Sequence, residues 1–100
     1  MVATRKPAEV FLPGDFIRKE LEARHWTQKN LASVIGRPVQ AINEIINGRK
    51  SITAETARQL AAAFGTSAEL WLNLESAYQL AMADDADPRI AERAEELTRA

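Results

Sequence analysis

Apolar residues recur along this chain at helical spacing in short runs divided by polar breaks, and no run alternates with the two-residue period of a strand. Phe16, Ile17 and Leu21 mark the buried side of a first helix that opens near Pro13 and fades by Arg24. Proline suits a first helical position because the N–H it lacks would have no partner there. Leu31, Ala32 and Ile35 predict a second helix with Thr27 as its N-cap. Gly36 is its expected stop, and Pro38 is expected to restart the chain as the first residue of a third helix. Ile42, Ile45 and Ile46 form that helix's apolar stripe, with Gln40, Ala41, Asn43 and Glu44 to the sides or outside, before a break at Asn47-Gly48. Thr53 caps a fourth helix carrying Ala57, Leu60, Ala61 and Phe64, which Gly65 closes.

Thr66, with Glu69 three residues on, reads as a capping box for a fifth helix. This helix is apolar around more of its girth than one core uses. Leu70, Leu74, Ala77 and Ala81 make one stripe, and Trp71, Tyr78 and Met82 make a second beside it. The excess points to a second copy of the chain, with Trp71, Leu74, Tyr78 and Met82 as the dimer interface. "DDADP" then interrupts, with Asp87 as cap and Pro88 as first residue of a short acidic helix. The expected organisation is all-α: a flexible arm over residues 1–11, a helical domain over 12–83, and an acidic C-terminal helix or tail over 84–100.

Two short helices joined by a tight glycine-containing turn, with further helices behind, form a helix-turn-helix. In that geometry the second helix projects into the major groove while the first crosses the phosphate backbone. Ile42, Ile45 and Ile46 would hold the projecting helix to the body, leaving Gln40 and Asn43 to face base edges. Each presents a donor and an acceptor together, which matches the N6/N7 edge of adenine. Gln28, at the start of the supporting helix, is a phosphate candidate helped by that helix's dipole. Lys29 and Arg37 are further candidates, and Arg49, Lys50, Ser51 and Thr53 lie in the following loop, where a second backbone contact would fall. The competing reading makes Gln40 and Asn43 plain solvated positions.

The charge is split along the chain. Residues 1–58 hold 10 Lys+Arg against 6 Asp+Glu, and residues 59–100 hold 3 against 8, so a basic half and an acidic half average to a net charge of -1. A basic half suits phosphate and an acidic half suits something else, unless the clustering is chance on solvated surfaces. The absence of cysteine removes disulfides, thiol catalysis and cysteine-bound zinc. No apolar stretch is long enough to cross a membrane and no signal-peptide core is visible, so a cytoplasmic location is expected. His25 is the only histidine and there is no nucleophile–base constellation, so no enzyme activity, metal or cofactor is expected.

"WTQKNLA", "INEIINGRKSIT" and "GTSAELWLNLESAYQL", in that order, resemble the HigA/VapI-type antitoxins of the lambda-repressor-like (XRE) helix-turn-helix family, over roughly residues 12–80. The resemblance implies a five-helix DNA-binding bundle, here followed by a short C-terminal helix. It also implies a homodimer on a palindromic operator, and a HigB/RelE-like ribonuclease toxin that the antitoxin neutralises while repressing its own operon. By position it makes Gln28 a phosphate contact, places Val39, Gln40 and Asn43 where relatives touch bases, with Glu44 counted among the base-reading residues, and makes Asn47, Gly48, Arg49 and Lys50 the backbone-contacting loop. The chain departs from the family pattern at Leu12, where relatives carry histidine, and at Pro38-Val39, where they often carry Ser-Arg. Val39 could instead touch a thymine methyl. The alternatives are a lone XRE-type transcriptional regulator without a toxin, or a protein-binding neutraliser with little DNA binding.

Overall fold

The computed structural model describes residues 11–99. The expected N-terminal arm, apart from Phe11, lies outside them. Six helices and no strand occur among the described residues: α1 (Pro13–Arg24), α2 (Gln28–Ile35), α3 (Val39–Ile46), α4 (Ala54–Phe64), α5 (Ala68–Met82) and α6 (Arg89–Arg99).

Local chemistry sets the boundaries. Thr27 caps α2 reciprocally: its Oγ1 accepts from the Asn30 N–H at 3.1 Å, and its own N–H donates to Asn30 Oδ1 at 2.8 Å. The Thr53 hydroxyl accepts from the Thr56 N–H at the start of α4. At Gly36 the chain turns left-handed with φ 85°, and the Gly36 and Arg37 N–H groups both return to the Ala32 carbonyl. A residue without Cβ adopts that backbone freely. His25 ends α1 in the same left-handed region with φ 58°.

Three boundaries differ from expectation, one of them at α6, which begins at Arg89 rather than Pro88. Pro38 is the N-cap of α3, extended at ψ 145°, and the helix begins at Val39. The cap of α5 is Ser67, whose Oγ accepts from the Leu70 N–H at 3.1 Å. Thr66 serves another purpose: its Oγ1 accepts from the indole Nε1 of Trp71 at 2.8 Å. A buried indole N–H needs an acceptor, and Thr66 supplies it.

The core gathers Ile17 and Leu21 from α1, Leu31 from α2, Ile42, Ile45 and Ile46 from α3, Leu60 and Phe64 from α4, and Trp71 from α5. An eight-residue helix is unstable alone in water. Burial of its three isoleucines, at about 1.5–3 kcal/mol each, is what holds α3 in place. Gly14 lets α1 approach the end of α3: a Cβ there would lie 1.8 Å from the Ile46 carbonyl oxygen. Arg24 ties α1 to α4 by donating from Nη2 to the Phe64 carbonyl at 2.8 Å, with its guanidinium 4.9 Å from the centre of that ring.

Trp71, expected at a dimer interface, is 1% exposed in the chain's own core and has no surface to offer a second copy. Its ring packs 5.8 Å from Phe64. The periodicity of α5 marks Trp71 as apolar without saying which side of the helix faces the body. Leu74 and Tyr78 are half-buried, while Leu70, Leu72, Leu80 and Met82 are exposed. Asp87 precedes α6, its carboxylate accepting from the Arg89 N–H at 2.9 Å, and every described residue of α6 is exposed.

Candidate nucleic-acid interface

α2 and α3 meet across the Gly36 turn, and the polar flank of α3 lies beside the first residue of α2. Gln40 and Asn43, at i and i+3, line one side of α3, and Asn47, its C-cap, continues that line at i+7. Gln40 and Val39 in the first turn are exposed, Val39 at 42%. Asn43 is half-buried and engaged at both ends of its amide. Its Nδ2 donates to Gln28 Oε1 at 3.2 Å, and its Oδ1 accepts from Asn47 Nδ2 at 3.1 Å.

That chain continues into α1. Asn47 Oδ1 accepts from Arg18 Nη2 at 2.8 Å, and Arg18 Nη1 lies 3.2 Å from Asp15 Oδ1. Five polar side chains, from α1, α2, α3 and the cap that ends α3, therefore form one line along the exposed edge of α3. Sequence reading missed Arg18 and Asp15. They sit 29 or more residues from Asn47, and nothing local in α1 announces a partner on α3.

The loop after α3 is fastened from both sides. The Glu44 carbonyl accepts from the Arg49 and Lys50 N–H groups at 2.8 and 3.2 Å, and the Lys50 Nζ lies 4.0 Å from the Glu44 carboxylate. From α5, Glu75 accepts from the Ile52 N–H at 3.0 Å and Gln79 donates to Ser51 Oγ at 3.3 Å. Leu12 lies over Gly48, where an added Cβ would come 2.8 Å from its Cδ1. The loop thus presents Arg49 and Lys50 outward on a braced backbone, and Lys29 is exposed on α2.

Besides Ser51, whose hydroxyl accepts from Gln79, three more of the expected contacts are turned to bracing the fold. Arg37 turns toward α4, donating to Thr56 Oγ1 at 3.0 Å and Gln59 Oε1 at 3.3 Å, so it braces the turn rather than standing as a free cation. The Thr53 hydroxyl is occupied as the α4 cap. Glu44, half-buried, holds the loop beside Lys50. No cluster of His, Cys, Asp and Glu suited to a metal ion occurs among the described residues, and none of their helices is long and apolar enough to cross a membrane.

A short helix projecting its polar flank after a glycine turn, with cations on the next loop, defines a helix-turn-helix protein. The helix-turn-helix family matches residues 17–71. Virulence-associated protein I of Dichelobacter nodosus is 38% identical over 73 residues, spanning 72% of this chain and 68% of that one. Antitoxin HigA-1 of Vibrio cholerae is 38% identical over 77 residues, spanning 76% and 70%. Among solved structures, Pseudomonas aeruginosa antitoxin HigA with the higBA promoter superposes with a TM-score of 0.69 at 32% identity, over 73% of this chain and 80% of that one. The chain belongs to the helix-turn-helix family, in the HigA/VapI group of its lambda-repressor-like (XRE) branch. That family is one of DNA-binding antitoxins and regulators, not of enzymes.

Proposed function

We propose that the chain is the antitoxin of a type II toxin–antitoxin pair. It binds a palindromic operator in its own promoter as a homodimer, and it neutralises a HigB/RelE-like ribonuclease encoded beside it. The observation that carries the DNA half is the placement of α3. Ile42, Ile45 and Ile46 anchor one side in the core, and Val39 and Gln40 are left exposed on its first turn. Gln40 can pair with adenine through its amide, and Val39 can lie against a thymine methyl. Gln28, Lys29, Asn47, Arg49 and Lys50 surround that turn and meet phosphates, which fix register without reading sequence.

The dimer reading is supported by the apolar surface that α5 leaves uncovered, with Leu74, Tyr78 and Met82 as its contact residues. Two recognition helices reading half-sites about 34–36 Å apart would make the operator palindromic. The toxin half rests on the relatives that bear the antitoxin name. The test has two arms. Fluorescence anisotropy with the duplex upstream of its own gene should show salt-dependent binding that exceeds binding to a scrambled duplex. Coexpression with the adjacent open reading frame should yield a copurifying complex and relieve growth arrest. Binding without any toxin-like neighbour would leave a lone regulator, and copurification without promoter binding would leave a neutraliser alone.

A further inference from the structure

We propose that Arg18 is a positioning residue for DNA binding, setting the direction in which the side-chain amides of Asn47, Asn43 and Gln28 point. The inference rests on the DNA-binding reading above and deepens it. An amide side chain carries an acceptor at one end and a donor at the other, so a row of amides can run in either direction. Arginine has donors only. Its Nη2, 2.8 Å from Asn47, therefore draws Oδ1 of that residue toward α1. Asn47 then turns Nδ2 toward Asn43 Oδ1, at 3.1 Å. Asn43 in turn presents Nδ2 to Gln28 Oε1, at 3.2 Å. At the far end the Gln28 Nε2 group has no acceptor among the described residues and is the donor left over. A donor is what a phosphate oxygen requires. Reversed, the row would aim the Gln28 carbonyl oxygen at the phosphate and repel it. Asp15, 3.2 Å from the other Arg18 nitrogen, holds the guanidinium in place. Arg18 thus acts on the duplex from α1 through three intermediate amides.

The experiment has one arm without DNA and one with it. In the free protein, side-chain amide signals in a nitrogen-15 NMR spectrum should move for Asn47, Asn43 and Gln28 together in Arg18→Ala. They should stay near their original positions in Arg18→Lys, which keeps a donor-only group. Unmoved Asn43 and Gln28 signals in Arg18→Ala would overturn the relay. On the promoter duplex, Arg18→Ala should weaken binding about tenfold, in line with one lost charge-assisted hydrogen bond. The dependence on salt should keep its slope, because no phosphate contact is removed, whereas Lys50→Ala should lower that slope by about one. Arg18→Ala should add little in a Gln28→Ala background, since both variants break the same unit. A slope reduced by about one in Arg18→Ala, or full additivity with Gln28→Ala, would make Arg18 a direct phosphate ligand and overturn the proposal. Failure of the unaltered chain to bind the duplex, with its amide signals responding as expected, would instead reject the DNA-binding reading.

Discussion

Asn43 on α3 donates from Nδ2 to Gln28 Oε1 at the start of α2, across 3.2 Å. The bond ties α3 to the start of α2, so the proposed base and phosphate contacts would be set as one unit. It also leaves Asn43 with one N–H and one lone-pair direction for a base, while the exposed Gln40 lies on the first turn of the same helix. The Asn43→Ala variant should therefore do two kinds of damage. It should weaken operator binding by about 1–3 kcal/mol, and it should also weaken binding to unrelated duplexes because Gln28 loses its tether. Anisotropy titrations on both duplexes separate the two losses.

Gly14 sets how closely α1 approaches the end of α3. In Gly14→Ala, the new methyl would meet the Ile46 carbonyl, which is backbone and moves only with the helix. The expected cost is about 1–3 kcal/mol of stability, read by urea denaturation. Gly36→Ala introduces no clash but strains a backbone at φ 85°, so it should cost about 1–2 kcal/mol by conformation alone.

Arg37 carries a charge close to the expected interface, yet its bonds run to Thr56 and Gln59 on α4. Arg37→Ala is expected to lower stability by about 0.5–1.5 kcal/mol while leaving the salt slope of DNA binding unchanged. Lys50→Ala should do the reverse. Paired denaturation and salt titrations on the two variants check the assignment.

Removing residues 84–100 should change the unfolding free energy by less than about 0.5 kcal/mol, because no described residue of α6 is buried. The same truncation should leave promoter affinity intact. A large loss of stability by chemical denaturation would place α6 against the body.

The elements of this fold were legible because its helices are short and chemically punctuated. Thr27, Gly36, Thr53 and Gly65 each sit at a boundary for reasons local to a few residues, and each is found there. The isoleucine stripe of α3 was equally plain, since i, i+3, i+4 spacing carries its own direction. What could not be read depends on partners distant in sequence. Thr66 and Ser67 are both competent caps, and only the arrival of the Trp71 indole assigns Thr66 elsewhere. The sequence points Trp71 to an interface because α5 is apolar on two sides, and only packing against Phe64 shows which side is the core. Arg18 and Arg37 are exposed-looking cations in the sequence, but Arg18 reaches Asn47 at the end of α3, and Arg37 donates to Thr56 and Gln59 on α4.

The proposed DNA binding turns on whether the first turn of α3 reads bases. The most direct measurement compares Gln40→Ala with the unaltered chain on a set of promoter duplexes, each with one base pair changed. The expected result is a loss of about 1–3 kcal/mol on the natural operator, with preference relaxed at one base pair and retained at the others. Gln40→Ala binding every duplex in the set as the unaltered chain does would contradict it.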